Sequence, residues 1–465
     1  MTAVLSRIVA FLAAASALSV IALFPPVSPV AEPAAQDFVE AVAPAPLALV
    51  CPGSAIALGG EDGTNVESLE RLGTAELALH SGDAEASTRF SPELTSPETL
   101  QFESATSLEL QGSQLPQGTE LLAAAQYQVV SNARNRGLLA ANCAQPKLQH
   151  TLVGGSLVEG HETLLLLANP SANESGVTVR LITDTGSSEQ TYSVGAAAER
   201  IIALATLGAG ESSIAVSVTS TQPIGAWLQH RASAGLEPLG ISWVSSEQAP
   251  AESQNIFGLV VRGTANAPTA DLVSPVVRVF NPGEVDADVL IEVSGLDSFG
   301  AVVRLNVPAG RVREVPVEGL EDGEYTARIT AETPIHASLK SPIVVSSGAA
   351  DFAWLSAANW IEPTLRFPAQ SVKATLALFN SSSGEARLRV DRTRVAGATL
   401  TTTVTLAPFQ QQLIEVEAGR SVVVTPLDQG TRAMAALRFL NGNGIGYWQP
   451  SVNRNPGSEV RVSVR

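Results

Sequence analysis

Between Leu164 and Leu181 the chain reads LLLLANPSANESGVTVRL, and two later stretches repeat its plan: VRVFNPGEVDADVLIEV from Val277 and LALFNSSSGEARLRV from Leu376. Counting back from the asparagine, positions −2 and −4 hold Leu167 and Leu165, then Val279 and Val277, then Leu378 and Leu376. Counting forward, positions +8, +10 and +12 hold Val177, Val179 and Leu181; then Val289, Ile291 and Val293; then Leu388, Val390 and Arg392. Alternate side chains of a strand face opposite ways, so this period of two predicts one buried face on each arm of a hairpin. Arg392 breaks the pattern and is expected at the solvated end of its strand. The asparagines Asn169, Asn281 and Asn380 mark the turn: Asn bonds its own backbone, and a residue before proline is pushed out of the helical region. Pro170 and Pro282 stiffen two of the corners, whereas Ser381 follows Asn380 in the third.

Other landmarks keep the same phase. Pro223 and Pro334 are 111 residues apart, as are Trp243 and Trp354, against 112 between Asn169 and Asn281. The third copy follows at 99 residues by its asparagine, with no clear Pro-Ile motif and with Trp448 only 94 residues beyond Trp354. Each unit of about 100 residues contains six or seven short apolar runs separated by turn residues, the signature of a β-sandwich of immunoglobulin-like size. The expected fold class is all-β, tandem sandwiches behind an N-terminal membrane anchor helix. The expected domains are 1–24 (anchor or signal peptide), 25–46 (a Pro/Ala-rich linker), 47–149 (a mostly β domain), and sandwich repeats 1, 2 and 3 at 150–250, 251–362 and 363–465. Strung along one chain, these would make a rod.

The anchor rests on residues 8–24, IVAFLAAASALSVIALF, seventeen apolar or small residues preceded by a single charge, Arg7. That is a long signal-peptide core or a short span, with the remainder outside the membrane. An uncleaved anchor is the first expectation, and release after cleavage is the alternative. The two cysteines, Cys51 and Cys143, fit an exported chain in which they pair; two free buried thiols are the other possibility. A net charge of −17 argues against nucleic acid as a partner, since like charges repel a phosphate backbone. Only 3 of the 28 basic residues are lysine (Lys147, Lys340 and Lys373), a bias that speaks to ancestry and not to chemistry.

No catalytic constellation emerges. HETLL at His161 lacks the second histidine of a zinc motif, and there is no G-x-S-x-G elbow. The five histidines (His80, His150, His161, His230, His336) read as solvent-facing or rim residues; His230 and His336 follow the repeated proline at different offsets. The acidic loops at Gly60 and Gly283 lack the D-x-D-x-D-G spacing of a calcium loop and read as solvated turns. No catalytic residue, metal or cofactor is expected. Trp243 and Trp354 recur in phase, as packing residues do in a repeat, while Trp227 and Trp360 are the aromatics that could contact a ligand.

The segments LVCPG, GLLAANCAQP, VGGSLVEGHETLLLLANP and SVTSTQPIGAW resemble an uncharacterised family of secreted or membrane-anchored actinobacterial proteins, known as a domain of unknown function. The resemblance implies a cell-envelope location and no assigned activity. The functional expectation is a non-enzymatic, membrane-tethered scaffold, with envelope proteins or cell-wall polysaccharide as partners. A carbohydrate-binding or adhesion role is the alternative.

Overall fold

Apolar positions spaced by two do form strands, and among the described residues there is no α-helix. The structure is a computed structural model. It describes residues 36–41, 47–59, 69–81, 86–88, 100–102, 106–110, 122–450 and 459–464, less 247, 268, 270, 271, 299, 346, 347, 363, 395 and 396. The expected anchor (1–24) and the acidic loop beginning at Gly60 lie outside the described residues. Within the linker, Gln36–Ala41 is a strand, and it pairs antiparallel with Glu459–Val464, which the sequence assigned to repeat 3. These two segments form a unit separate from 45–456.

In residues 45–456 the first domain has sheets of four, three and two strands. A disulfide joins Cys51, at the end of strand Leu47–Cys51, to Cys143, just past strand Arg136–Asn142. Each repeat then builds two sheets of four. In repeat 1, His161–Asn169 lies in one sheet and Ser175–Ile182 in the other. The expected hairpin is therefore an arch, in which the chain crosses from one sheet to its partner at Asn169. The period-two pattern is the same for both, because each arm turns its apolar face to the space between the sheets.

The corner asparagine is buried in all three repeats. Asn169 Nδ2 donates to the carbonyls of Asn173 (2.7 Å) and Gly195 (2.9 Å), and its Oδ1 accepts from Ser171 N (3.0 Å). Asn281 bonds Val285 O, Val307 O and Gly283 N, and Asn380 bonds Gly384 O, Ala407 O and Ser382 N. One amide thus satisfies the arch and ties it to the next turn, which neither Asp nor Ser can do, having no second donor.

Pro223 and Pro334 sit inside strands of 20 and 22 residues, Ala215–Ala234 and Gly323–Val344. Residues 215–220 pair in one sheet and 225–232 in the other, with the proline at the crossover. Residues 325–331 and 336–340 divide in the same way around Pro334. A proline donates no ladder hydrogen bond, so it is tolerated where the strand changes partners. Repeat 3 lacks it, and the strand is broken into Arg420–Pro426 and Ala433–Asn441.

The four domains do not form a rod. The strands Arg136–Asn142, Glu237–Val244, Ala350–Ser356 and Gly444–Trp448, one from each domain, contact one another in a closed cycle. Each of the last three delivers an aromatic into the preceding core. Trp243 packs with Ile56 and Leu139 of the first domain, Trp354 with Leu165 and Leu228 of repeat 1, and Tyr447 with Phe257 and Leu339 of repeat 2. Leu138 and Ala140 of the first domain join Leu376 and Phe439 of repeat 3, which closes the ring.

At the centre is Asp351, only 1% exposed. Its carboxylate accepts from Leu138 N (3.0 Å), Ile241 N (3.3 Å) and Ile445 N (2.9 Å), one from each other domain, and from Phe352 N. Asp351 lies three residues before Trp354, and the matching positions before Ala140, Trp243 and Tyr447 are Gly137, Gly240 and Gly444. All three glycines have positive φ, and a Cβ on them would lie 2.6, 2.7 and 1.9 Å from the Asp351 oxygens. Three absent side chains make room for the fourth.

Gly444→Ala is expected to destabilise the chain by about 3 kcal/mol through overpacking and backbone strain, read by denaturant melts. Gly186→Ala, where a Cβ meets nothing within 4 Å, should stay within about 0.5 kcal/mol. Asp351→Ala strands buried N–H groups and should cost more than about 3 kcal/mol. A melt of Gly444→Ala that matches the parent would remove the axial role.

Stability should also depend on pH in two limbs. Burial pushes the Asp351 carboxyl up to about 8 although the N–H groups pull it down, so its contribution is lost as pH rises from the ordinary carboxyl range through 8. Burial lowers His150, His161 and His336 to about 4 and His230 well below its usual value of 6.5, so their contribution is lost as pH falls below 6.5. Four histidines outweigh one carboxyl in the acid window. Thermal melts should therefore show a maximum near pH 6.5–7, and Asp351→Asn should abolish the decline between 6.5 and 8.

Candidate functional site

Where repeat 1 meets repeat 2, polar side chains gather beside two adjoining chambers. Strand His161–Asn169 places His161 at its first residue, and the paired long strand sets His230 opposite Thr163. Repeat 2 supplies Arg278 from strand Val276–Phe280, Glu314 from its neighbour Val312–Pro316, Lys340 from the long strand and Trp354 from the axial strand.

Arg278 is buried and holds the two repeats together. It pairs with Glu314 at 2.5 Å and donates to the carbonyls of Gly155, Ser212 (2.9 Å) and Ile214 (3.2 Å), all in repeat 1. Its guanidinium also lies 4.8 Å from the centre of the Trp354 ring. A flat five-donor cation suits this place, because one side chain can satisfy several converging carbonyls and a carboxylate.

The two histidines form a chain whose tautomers follow from its end. The Trp354 indole has only a donor, and its Nε1 lies 3.0 Å from His230 Nδ1, which must accept. The His230 proton is then on Nε2, 2.8 Å from His161 Nδ1, which accepts in turn. The His161 proton is left on Nε2. Burial, then the cations Lys340 and Arg278, hold His161 down at about 4 against the opposing pull of Glu314; burial, then His161 and the same cations, hold His230 well below its ordinary value. Both rings are neutral at physiological pH, so the chain is a fixed array of dipoles ending in an N–H.

His161 and His230, read in the sequence as rim residues, and Trp354, read as a packing residue, belong to this cluster, whereas the cysteines, the turn residues and the two possible ligand aromatics do not. Cys51 and Cys143 close the first domain, and Asn169, Pro170, Asn281, Pro282 and Asn380 lie at the arches. Trp227, named as one of two aromatics that could contact a ligand, is buried between the first domain and repeat 1 at 1% exposure. Trp360 is 42% exposed, with the Arg432 guanidinium 4.6 Å from its ring centre. His150, His230 and His336 are buried and not on a solvated rim: His150 bonds the Ile224 carbonyl, His336 stacks on Phe280, and His230 is covered by Phe352 and Trp354 of repeat 2. No group of three or more His, Cys, Asp or Glu among the described residues is arranged to hold a metal.

Two signals in the sequence pointed towards the cleft. Arg278 stands three before its asparagine, where the other repeats have Leu166 and Ala377, both buried. Lys340, one of three lysines, is in phase with Gln229 and Arg438, opposite the in-phase Trp354, Trp243 and Tyr447.

If Arg278 joins the repeats, Arg278→Met should lower the midpoint of denaturant unfolding by an amount worth about 3 kcal/mol, because Glu314 and three carbonyls lose their donor. Arg278→Lys should restore only part of it, having no planar fork. Equal stability of the Met variant and the parent would contradict the assignment.

No curated protein matches the chain. Among solved structures, one described as a tetra-tandem repeat in the extending region of a large adhesion protein aligns at 12% identity over 93% of this chain and 100% of that one. Its TM-score of 0.12 is too low to imply a shared arrangement. A family of unknown function, DUF5719, matches residues 99–426, which span part of the first domain, repeats 1 and 2 and most of repeat 3. The chain therefore belongs to the DUF5719 family.

Proposed function

We propose that this protein is a non-enzymatic scaffold of the cell envelope, tethered outside the membrane by its N-terminal apolar segment. The observation that carries this reading is the closure of four β domains around one buried carboxylate. Such a body holds the outer sheets and loops of four domains in fixed relation, which suits a platform for other proteins better than a flexible string would. The disulfide between Cys51 and Cys143 agrees with an oxidising compartment. At the Arg278 cleft the guanidinium is paired with Glu314 and with three carbonyls of repeat 1, an arrangement that suits a joint between domains.

Crosslinking in intact cells followed by capture of the full chain should recover a reproducible envelope protein, and Gly444→Ala, which disturbs the axis, should reduce that recovery severalfold. Turnover of an envelope glycan or ester by the purified chain would overturn the reading.

A second reading, binding of cell-wall polysaccharide, is favoured by Trp360 alone: it is a half-exposed aromatic beside the Arg432 guanidinium, a pairing that suits stacking on a sugar. Glycan-array binding that vanishes in Trp360→Ala would support it, and silence of the parent chain across envelope polysaccharides would exclude it.

A further inference from the structure

The hairpin that brings repeat 3 to the axis turns on Asn441, Gly442, Asn443 and Gly444, which hold the two Asn-Gly dipeptides of the chain. Strand Ala433–Asn441 pairs with Gly444–Trp448, and Asn441 lies opposite Gly444, so the turn itself is Gly442 and Asn443. Asn441, Gly442 and Asn443 are exposed. The Asn441 amide is nevertheless held at both ends. Its Oδ1 accepts from Asn443 N at 2.8 Å, and its Nδ2 donates to the Tyr127 hydroxyl of the first domain at 3.3 Å.

A bond from a side-chain oxygen to the amide two residues on folds that side chain over the intervening peptide, which sets Asn441 Cγ beside the Gly442 nitrogen. The Asn443 N–H also points at the oxygen on which negative charge gathers when Cγ is attacked. Gly442 has no side chain to block the approach, its φ lies outside the left-handed region, and a Cβ built on it meets nothing within 4 Å. Asn443 is placed differently. The nitrogen that would attack its Cγ belongs to Gly444, which is in register with Asn441 and packs so closely on Asp351 that a Cβ would lie 1.9 Å from the carboxyl oxygen. Turning that peptide would also draw Ile445 N away from Asp351, to which it donates at 2.9 Å.

We propose that Asn441 is a site of spontaneous backbone modification through a cyclic imide, and that the axis protects Asn443 from the same reaction. The Gly442 nitrogen gives its proton to solvent and bonds to Asn441 Cγ. The Cγ–Nδ2 bond breaks, and the nitrogen leaves as ammonia with a proton taken up from solvent. Water then opens the imide. Cleavage at Cγ leaves an aspartate, whose carboxylate can accept from the Tyr127 hydroxyl in place of the lost donor. Cleavage at the main-chain carbonyl leaves an isoaspartate, which adds a methylene to the backbone. That longer turn leads directly into Gly444 and Ile445, so the isoaspartate form loosens the contact of repeat 3 with Asp351.

The test is incubation of the full native chain at mildly alkaline pH in heavy-oxygen water, followed by digestion and mass spectrometry of the turn peptide. Heavy oxygen should enter at position 441, and severalfold more slowly at position 443. In denaturant the two positions should react at similar rates, because the protection of Asn443 is tertiary. Gly442→Ala should slow the reaction at 441 severalfold while its melt matches the parent, since the added methyl has open space in the fold but hinders the attacking nitrogen. The isoaspartate form, separated by chromatography, should melt below the parent. No heavy oxygen at 441 in the native chain, faster reaction at 443, or an unchanged rate in Gly442→Ala would each overturn the assignment; an isoaspartate form as stable as the parent would overturn its coupling to the axis.

Discussion

The four axial strands of residues 45–456 are arranged about one deeply buried carboxyl group. Burying a carboxyl group without partners costs several kcal/mol, and the three strands from other domains reduce that cost only if all of them arrive together. Each contributes one backbone N–H, and each carries glycine immediately before it so that the donor can come within reach. The requirement is mutual: without Asp351 the N–H groups are stranded, and without the glycines the carboxylate does not fit. A contact made of single atoms from four domains is satisfied only in one arrangement, which is why it sets geometry more than it adds stability.

The same logic of matched positions runs outward from the axis. The aromatic three residues along the axial strand enters the preceding core, and the polar residue paired with it faces the preceding domain. Gln229 meets a backbone amide with an amide, and Arg438 meets a carbonyl and the Glu324 carboxylate with a guanidinium. Sequence repetition supplied one position, and divergence gave each copy a different chemistry there. The joint with lysine is also the one with chambers beside it.

Much of the local structure was legible because its causes are local. Val177, Val179 and Leu181 make a strand with one apolar face wherever they sit, and Asn169 before Pro170 ends one. The exchange of a hairpin for an arch was not legible, since both present the same alternation to the core. The burial of Leu164 and Leu166 beside Leu165 and Leu167 had a visible sign in the unbroken run of leucines, the mark of a strand covered on both faces. The burial of His230 had no such sign, because the Phe352 and Trp354 that cover it come from another repeat.

By itself, the sequence determined the all-β class, the repeat near 100 residues and the asparagines at which a strand ends, all of which follow from period, spacing and local backbone chemistry; the pairing of Cys51 with Cys143, expected from their number, is seen in the structure. Only the tertiary structure decided that the domains close into a ring, that Asp351 is its centre, and that Arg278, Lys340, His161, His230 and Trp354 share one cleft. Those residues come from segments tens to hundreds of positions apart. Their meeting depends on which outer faces pack together, and a period along one strand carries no information about that.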